Sequence, residues 1–258
     1  LAILPRLVAL YEQEGFAISS GLDASHSGAQ LSEFTFLFDH TDSLTGDLGI
    51  ALKEVYFLEC LLGNTYRPQR VFGVGASFGW SALTMALLLP ESKHAVLEIG
   101  NVPFTQEWIG RVNNMAAREH LPLTIVQGAS PIDTAATVQN YLDGRVDLAF
   151  IDGLHNAEQI KADVAAVLPF LTPTGAILLH DVIAFNLIEA VREIIAETGL
   201  MGRMLPATPS GLAVLHGPDW PEEAKLACRC FGANRWAPVM LDHFRDQPAD
   251  FTLGSELL

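Results

Sequence analysis

Basic residues are scarce in this chain: 15 Lys and Arg stand against 30 Asp and Glu, a formal net charge of −15. That mean field repels a polyphosphate, and no run of Lys or Arg offsets it, so nucleic acid is not an expected partner. Cysteine is scarce too. Cys60, Cys228 and Cys230 are too few for a disulfide framework and suit a reduced, cytoplasmic setting. Cys228-x-Cys230 lacks the second pair that a zinc site needs. No apolar run reaches the ~18 residues of a membrane-spanning helix, so a membrane is not an expected partner. No secretory leader is evident, although the chain starts at Leu1 rather than Met and a removed leader stays open. No internal repeat or low-complexity block is present, so the chain is not a repeat array.

What is abundant is apolar character. Hydrophobic residues make up 50% of the 258 and charged residues only 17%. That suits one large α/β domain with appendages. The apolar surplus must be buried somewhere, and a homodimer interface is one place for it.

The organising stretch is Arg70 to Leu89, RVFGVGASFGWSALTMALLL. A short β-type run, Val71 to Val74, leads into a turn carrying Gly73, Gly75 and Gly79, and an apolar helix follows to Leu89. Glycines let a ligand approach the backbone closely, and a new helix points free N–H groups at it. The third glycine comes one residue too late for the G-x-G-x-x-G of a dinucleotide site.

About 65 residues precede this turn. Leu1 to Glu14 has helical spacing, Ser19 to Gly28 and His40 to Asp47 read as polar loops, and Leu31 to Phe38 as an aromatic packing segment. Leu48 to Leu62 reads as an amphipathic helix capped by Gly63-Asn64. Residues 1–65 are therefore expected to form an N-terminal helical cap, lid or dimerisation arm. From Arg70, strands at Val71–Val74, His94–Ile99, Leu123–Val126, Val146–Ile151 and Ala176–Leu179 alternate with helices at Gly79–Leu89, Thr105–Glu119, Asp133–Tyr141, Ala157–Leu171 and Ile183–Thr198. Such alternation predicts a parallel sheet covered on both faces. Gly202–Leu205 and Leu212–His216 read as a hairpin, which makes one of these late strands antiparallel. The expected architecture is a Rossmann-like, doubly wound seven-stranded sheet, mostly parallel with one antiparallel strand. Residues 66–217 would be the core and 218–258 a C-terminal extension, with a helix over Pro221–Phe231 and a tail after Gln247.

In an open parallel sheet, ligands bind beyond the carboxyl ends of the strands. The first core strand delivers the glycine turn there. The second ends in Glu98, placed to accept ribose hydroxyls. The third is followed by Gly128, Ala129 and Ser130. The fourth ends in Asp152, with His155 three residues on, and the fifth in His180 and Asp181. Asp152 and Asp181 end neighbouring strands, so their carboxylates can converge on a divalent cation, orient a substrate or flank a proton transfer. His155 could take a proton from a substrate near neutral pH.

GVGASFGWSAL, LEIGN, TIVQGAS, VDLAFIDGLH and GAILLHDV, in that order and spacing, resemble the class I S-adenosylmethionine-dependent methyltransferases. The likeness is greatest to the small-molecule O-methyltransferases of the catechol type and to bacterial relatives with an F-I-D-G-x-H strand. It covers roughly Val71 to His216. The resemblance implies S-adenosylmethionine as cofactor. Gly73, Gly75, Ala76 and Ser77 would lie against its methionine end, Trp80 and Ser81 near its carboxylate, Glu98 on the ribose, Gly128 to Ser130 beside the adenine, and Asp152 near the sulfonium. It further implies Asp152 and Asp181 as ligands of Mg²⁺, and places His155 where the family has a lysine base. Two departures stand out. Gly73 replaces the acid that helps hold the cofactor's ammonium, and Val182 replaces an Asn metal ligand, so a metal site would have to draw on His155 or His180.

The implied reaction is methyl transfer to an oxygen or nitrogen of a small acceptor, with His155, Asp152 and Asp181 as the catalytic group. The acceptor pocket would come from the N-terminal cap and the segments after Asp181 and Leu205. Two other readings remain: a non-catalytic relative that binds the cofactor or a protein partner, and a nicotinamide-dependent oxidoreductase, against which the glycine spacing and the GAS segment speak.

Overall fold

The computed structural model of the chain describes residues 2–20, 35–101 and 103–232. Phe34, most of the expected Ser19–Gly28 loop and the tail after Gln247 lie outside the described residues. The chain opens with α1 (Leu4–Gln13), the short strands β1 (Ala17–Ser20), β2 (Thr35–Phe38) and β3 (Leu44–Asp47), and α2 (Leu52–Cys60). The core follows as β4 (Arg70–Val74), α3 (Trp80–Leu88), β5 (Lys93–Glu98), α4 (Pro103–Arg118), β6 (Leu123–Gln127), α5 (Thr134–Tyr141), β7 (Val146–Ile151), α6 (Ala157–Val167), β8 (Leu171–Leu179) and α7 (Ile188–Thr198). A late hairpin, β9 (Met201–Leu205) and β10 (Leu212–His216), and α8 (Glu222–Phe231) complete it.

Seven strands form one sheet in the order β6-β5-β4-β7-β8-β10-β9. The β4 to β8 pairings are parallel, while β10 runs antiparallel to both β8 and β9. The expected seven-stranded, mostly parallel sheet is the one observed. Alternate residues of each strand feed two cores. Val71, Val96, Phe150 and Leu178 pack against α1, α2, α3, α4 and α8, whereas Phe72, Leu97, Ile151 and Leu179 pack against α5, α6 and α7. All nine residues of α3 are buried, which explains a helix apolar on every side. Each fully buried Leu or Phe contributes ~1.5–3 kcal/mol over leaving it in water. No helix among the described residues is long and apolar enough to cross a membrane.

Four details differ from the sequence reading, each for a local reason. The N-terminal part carries two helices as expected, but also an antiparallel sheet β1-β2-β3, so the polar stretch His40–Asp47 ends in a strand. Gly63-Asn64 falls inside a π-helical turn, Leu61–Thr65, that extends α2 rather than capping it. Pro169 ends α6 early in a 3₁₀ turn, Leu168–Phe170, and β8 then begins at Leu171 with an irregular register opposite Val146–Leu148. Residues 183–187 do not wind into α7. The N–H groups of Val182, Ile183 and Ala184 donate instead to Gly211 and Ser210 carbonyls at 2.9, 3.1 and 3.1 Å, so the loop before β10 captures them.

The N-terminal part is fastened to the glycine turn by Tyr11. Its buried hydroxyl donates to the Phe78 carbonyl at 2.9 Å, and its ring sits 5.5 Å from that of Trp80.

One buried group gives the core a pH dependence. His94 on β5 is 3% exposed, and a ring nitrogen, Nε2, lies 3.1 Å from the Leu89 carbonyl. Burial pushes its pKa down to about 4, against a smaller upward pull from that carbonyl. The folded chain therefore keeps His94 neutral where the unfolded chain, at about 6.5, takes up a proton. Its contribution is present above that value and is lost as pH falls toward 4. The difference amounts to about 3 kcal/mol. Urea unfolding followed across this acid range should show that loss in the wild type and a smaller one in His94→Gln; equal slopes would contradict it.

Candidate active site

β4 is where the strand order reverses, with β5 on one side and β7 on the other. Beyond its carboxyl end lies a cavity of about 320 Å³, at the lower end of the ~300–1,000 Å³ usual for small-molecule sites. Its wall is built from the strand ends in turn. Val74, Gly75 and Ser77 come from the β4 turn, Leu97 to Ile99 from β5, Gly128 to Ser130 from the segment after β6, and Asp152 to Leu154 from the segment after β7. Gln159 and Asp163 reach in from α6.

The turn is shaped by close approach. Gly75 has φ +84°, and a Cβ there would stand 2.0 Å from the Asp152 carbonyl oxygen. Its N–H donates to Leu97 O at 2.8 Å, while Asp152 N–H donates to Val74 O at 2.9 Å, which ties three strand ends together. Gly79, with φ +84°, precedes α3 and presses on Val112. Glu98 is 7% exposed. Its Oε2 accepts the Ala76 and Ser77 N–H groups at 2.9 Å each, and its Oε1 accepts the Gly100 N–H at 3.3 Å. The carboxylate thus braces the glycine turn while facing the cavity.

Next to this cavity is a cluster of charges. Asp152, His155, His180 and Asp181 each present a ligand-type atom, all within 4.8 Å of one another. Asp152 Oδ1 is the hub, 2.9 Å from His180 Nδ1 and 3.2 Å from His155 Nε2. Asp181 lies 3.3 Å from each of the same two nitrogens. From the N-terminal part, the fully buried Glu54 on α2 sets Oε1 3.2 Å from His180 Nε2, close but without hydrogen-bond alignment. Its Oε2 accepts the Ala51 N–H at 2.7 Å, capping its own helix. Three carboxylates therefore surround two imidazoles. Burial alone would strip the proton from His180, but the Asp152 charge, with hydrogen bonds to the carboxylates, holds its pKa well above the ordinary histidine value. Burial would likewise raise Asp152, and the two imidazoles overcome it, holding that carboxyl well below the usual carboxylate range. His155 is three-quarters buried and stacks on Phe185 at 4.5 Å between ring centroids.

The structure brings Gly75, Ser77, Glu98, Gly128, Ala129, Ser130 and Asp152 to one cavity wall, and Asp152, His155, His180 and Asp181 to one cluster. Gly73, Ala76, Trp80 and Ser81 lie outside that wall. Trp80 is turned into the aromatic contact with Tyr11, and a Cβ at Gly73 would meet both Val96 methyls at 2.9 Å, so that position is filled by packing. Val182 is fully buried in the second core and offers no ligand atom. Asp181, with φ +59°, stands well before α7 and does not cap it.

Sequence reasoning missed three contributors. Glu54 looks like any helical acid, because no pattern along the chain places it against a residue 126 positions on. Gln159 and Asp163 carried a signal, being polar side chains spaced i,i+4 on one helix face. Asp163 Oδ1 accepts from Ser130 Oγ at 2.5 Å and from Gln159 Nε2 at 2.8 Å, while its buried Oδ2 has no partner among the described residues. Burial raises the Asp163 pKa.

Residues 72–182 match a family model described as a methyltransferase domain. Among solved structures, the chain is similar to the O-methyltransferase TomG from Streptomyces achromogenes, involved in tomaymycin synthesis and solved with SAM. Identity is 14%, coverage 66% of this chain and 82% of that one, and the TM-score 0.51. It is also similar to a methyltransferase from Geobacter sulfurreducens, at 14% identity, 82% and 88% coverage and a TM-score of 0.51. At such identities the likeness establishes the fold. No match was found among curated proteins.

Proposed function

We propose, on the premise that residues 72–182 form a class I S-adenosylmethionine-dependent methyltransferase domain, that this chain transfers the methyl group of S-adenosylmethionine to an oxygen or nitrogen of a small acceptor. The observation that carries the reading is the double placement of Asp152: it walls the cavity at the sheet's switch point and is the hub of the His/Asp cluster beside it. A cofactor in the cavity would have its ribose at Glu98. The unpartnered Asp163 Oδ2 would accept from an amino group at the Ser130 end, and the sulfonium would lie toward Asp152.

The step is an in-line displacement. The sulfur–methyl bond breaks as the acceptor–methyl bond forms, and the sulfonium leaves as a neutral thioether. The protein's share is alignment of the two reactants and removal of one proton. His155 Nε2 faces Asp152 and Asp181, which leaves Nδ1 to take the acceptor proton, with both carboxylates stabilising the imidazolium that forms. Leu154 and Phe185, both more than half exposed, flank His155 and offer an apolar platform for the acceptor's body.

Asp152, Asp181 and an imidazole from His155 or His180 fit a divalent cation, which would lower the acceptor's pKa when bound. A mixed oxygen and nitrogen donor set suits Mn²⁺ or Zn²⁺ better than Mg²⁺, which prefers oxygens alone.

Two variants separate binding from chemistry. Glu98→Ala removes the brace of the glycine turn and the ribose acceptor together, and should weaken S-adenosylhomocysteine by about a hundredfold, two lost charge-assisted hydrogen bonds. An unchanged dissociation constant would overturn the ribose assignment. His155→Ala should leave that affinity intact while turnover on an acceptor panel falls roughly a hundredfold or more, as for loss of a general base; an unchanged rate would remove His155 from the mechanism. The packing of Gly73 against Val96, where the family has the acid that holds the cofactor's ammonium, favours one second reading, a non-catalytic relative that binds the cofactor weakly or a protein partner.

A further inference from the structure

A second cavity, of about 220 Å³, lies at the far edge of the sheet between β9, β10 and α8. It shares no wall residue with the cofactor cavity, and β7, β8 and β10 separate β9 from β4. In the hairpin, Arg203 pairs with Val214 and Met201 with His216, which sets Arg203 and His216 on one face. Lys225 and Cys228, three apart on α8, close over that face.

Charge sets this cavity apart. Among the described residues its wall holds Arg203, Lys225 and His216 and no carboxylate, in a chain with twice as many acids as bases. The cofactor cavity, by contrast, contains Glu98, Asp152 and Asp163, and a third cavity, between the end of α1 and α4, contains Glu14, Asp39 and Glu107. Glu222 takes the Lys225 ammonium at 2.6 Å, but its side chain is 75% exposed and stands outside the wall. The Arg203 side chain is partly buried, and its guanidinium makes no hydrogen bond or ion pair with any described residue. Cys228 adds no negative charge, because burial pushes its thiol up to about 12. His216 is held rigid: its Nδ1 lies 2.7 Å from the Gly217 carbonyl, and its ring stacks on Trp220 at 4.6 Å.

A guanidinium partly withdrawn from water with no counter-charge among the described residues is costly. A bound anion would relieve that cost. We propose that this cavity is a binding site for a small tetrahedral oxyanion of the phosphate type, free or as the phosphoryl group of a small molecule. Arg203 supplies a two-pronged donor and Lys225 a mobile point charge, and Trp220 forms the wall behind. The size of the cavity fits a phosphoryl group rather than a nucleotide.

The test is a titration of the full chain with inorganic phosphate, followed by ¹H–¹⁵N spectra at constant ionic strength, with chloride as the control salt. A saturable shift of the Arg203 Nε–H and Trp220 indole signals is expected with phosphate and not with chloride. Arg203→Met should weaken binding about tenfold, equivalent to about 1.4 kcal/mol, with the ¹H–¹⁵N spectrum away from the cavity unchanged as the check on folding. No saturable shift, identical shifts with chloride, or wild-type affinity in Arg203→Met would overturn the site. Should Arg203→Met fail to fold, Arg203→Lys keeps the charge and removes the fork; a several-fold loss is then expected, and none would contradict the proposal. The outcome does not depend on whether the chain transfers methyl groups.

Discussion

Gly75→Ala should leave no measurable binding of S-adenosylmethionine or S-adenosylhomocysteine and a visibly less stable protein. The added Cβ would lie 2.0 Å from the Asp152 carbonyl oxygen and 2.8 Å from its carbon. That neighbour is backbone, so it cannot rotate away. Asp152 is itself tied to β4 through its N–H on Val74 O, and relief would have to prise β7 from β4 at the cavity floor. The φ of +84° adds left-handed strain, ~1–2 kcal/mol for a residue with a side chain. With the clash, a loss of about 3 kcal/mol or more is expected. Gly199→Ala is the matched control. Its φ is +68°, but a Cβ there meets nothing within 4 Å, so only the strain of about 1 kcal/mol should appear and cofactor binding should survive. Urea unfolding and calorimetry of both variants measure the contrast; wild-type binding in Gly75→Ala would mean the turn is not the cofactor cradle.

Asp152→Ala should be the most damaging change in the charge cluster. It takes the hub from His180, whose side chain is 1% exposed, and from His155. Removing one partner of a buried ion pair costs ~3–5 kcal/mol when the other charge is left alone, and Asp181 and Glu54, within 3.3 Å of the His180 ring, hold the loss toward the lower end of that range. The pH dependence makes the assignment specific. The Asp152 pKa is depressed in the folded chain, so its contribution is present above the unfolded value of about 3.9 and is lost as pH falls. The His180 pKa is raised, so its contribution is complete below about 6.5 and is lost as pH climbs through the folded value. The wild type should therefore lose stability on the alkaline side of that point, and Asp152→Ala should flatten the decline. Asp152→Asn, which keeps the volume without the charge, should flatten it too. An alkaline slope unchanged in both variants would contradict the pairing.

The parts legible in the sequence are those whose signal is local. Val71–Val74, His94–Glu98 and Val146–Ile151 are near-continuous apolar runs because both faces of the sheet are covered. The glycine turn announces itself through Gly75, which the Asp152 backbone leaves no room to replace. Glu98, Asp152 and Asp181 could be placed at one end of the sheet because parallel strands all deliver their carboxyl ends there.

What was not legible depends on distant partners. β1, β2 and β3 are four residues each and pair only with one another, so their periodicity is too short to separate from a loop. Ile183–Leu187 has helical composition but is held by Ser210 and Gly211 carbonyls from beyond α7. His180 reads as an ordinary strand histidine until Glu54 and Asp152 are found on either side of its ring. That contact also joins the N-terminal part to the His/Asp cluster, a link that no spacing along the chain announces.

The central claim is that the cavity at the end of β4 holds S-adenosylmethionine, and calorimetric titration of the full chain with S-adenosylmethionine and S-adenosylhomocysteine tests it most directly. A single saturable site per chain is predicted for both ligands. No heat of binding with either ligand would contradict the account, and would mean that a glycine packed against Val96 has left this fold without its cofactor.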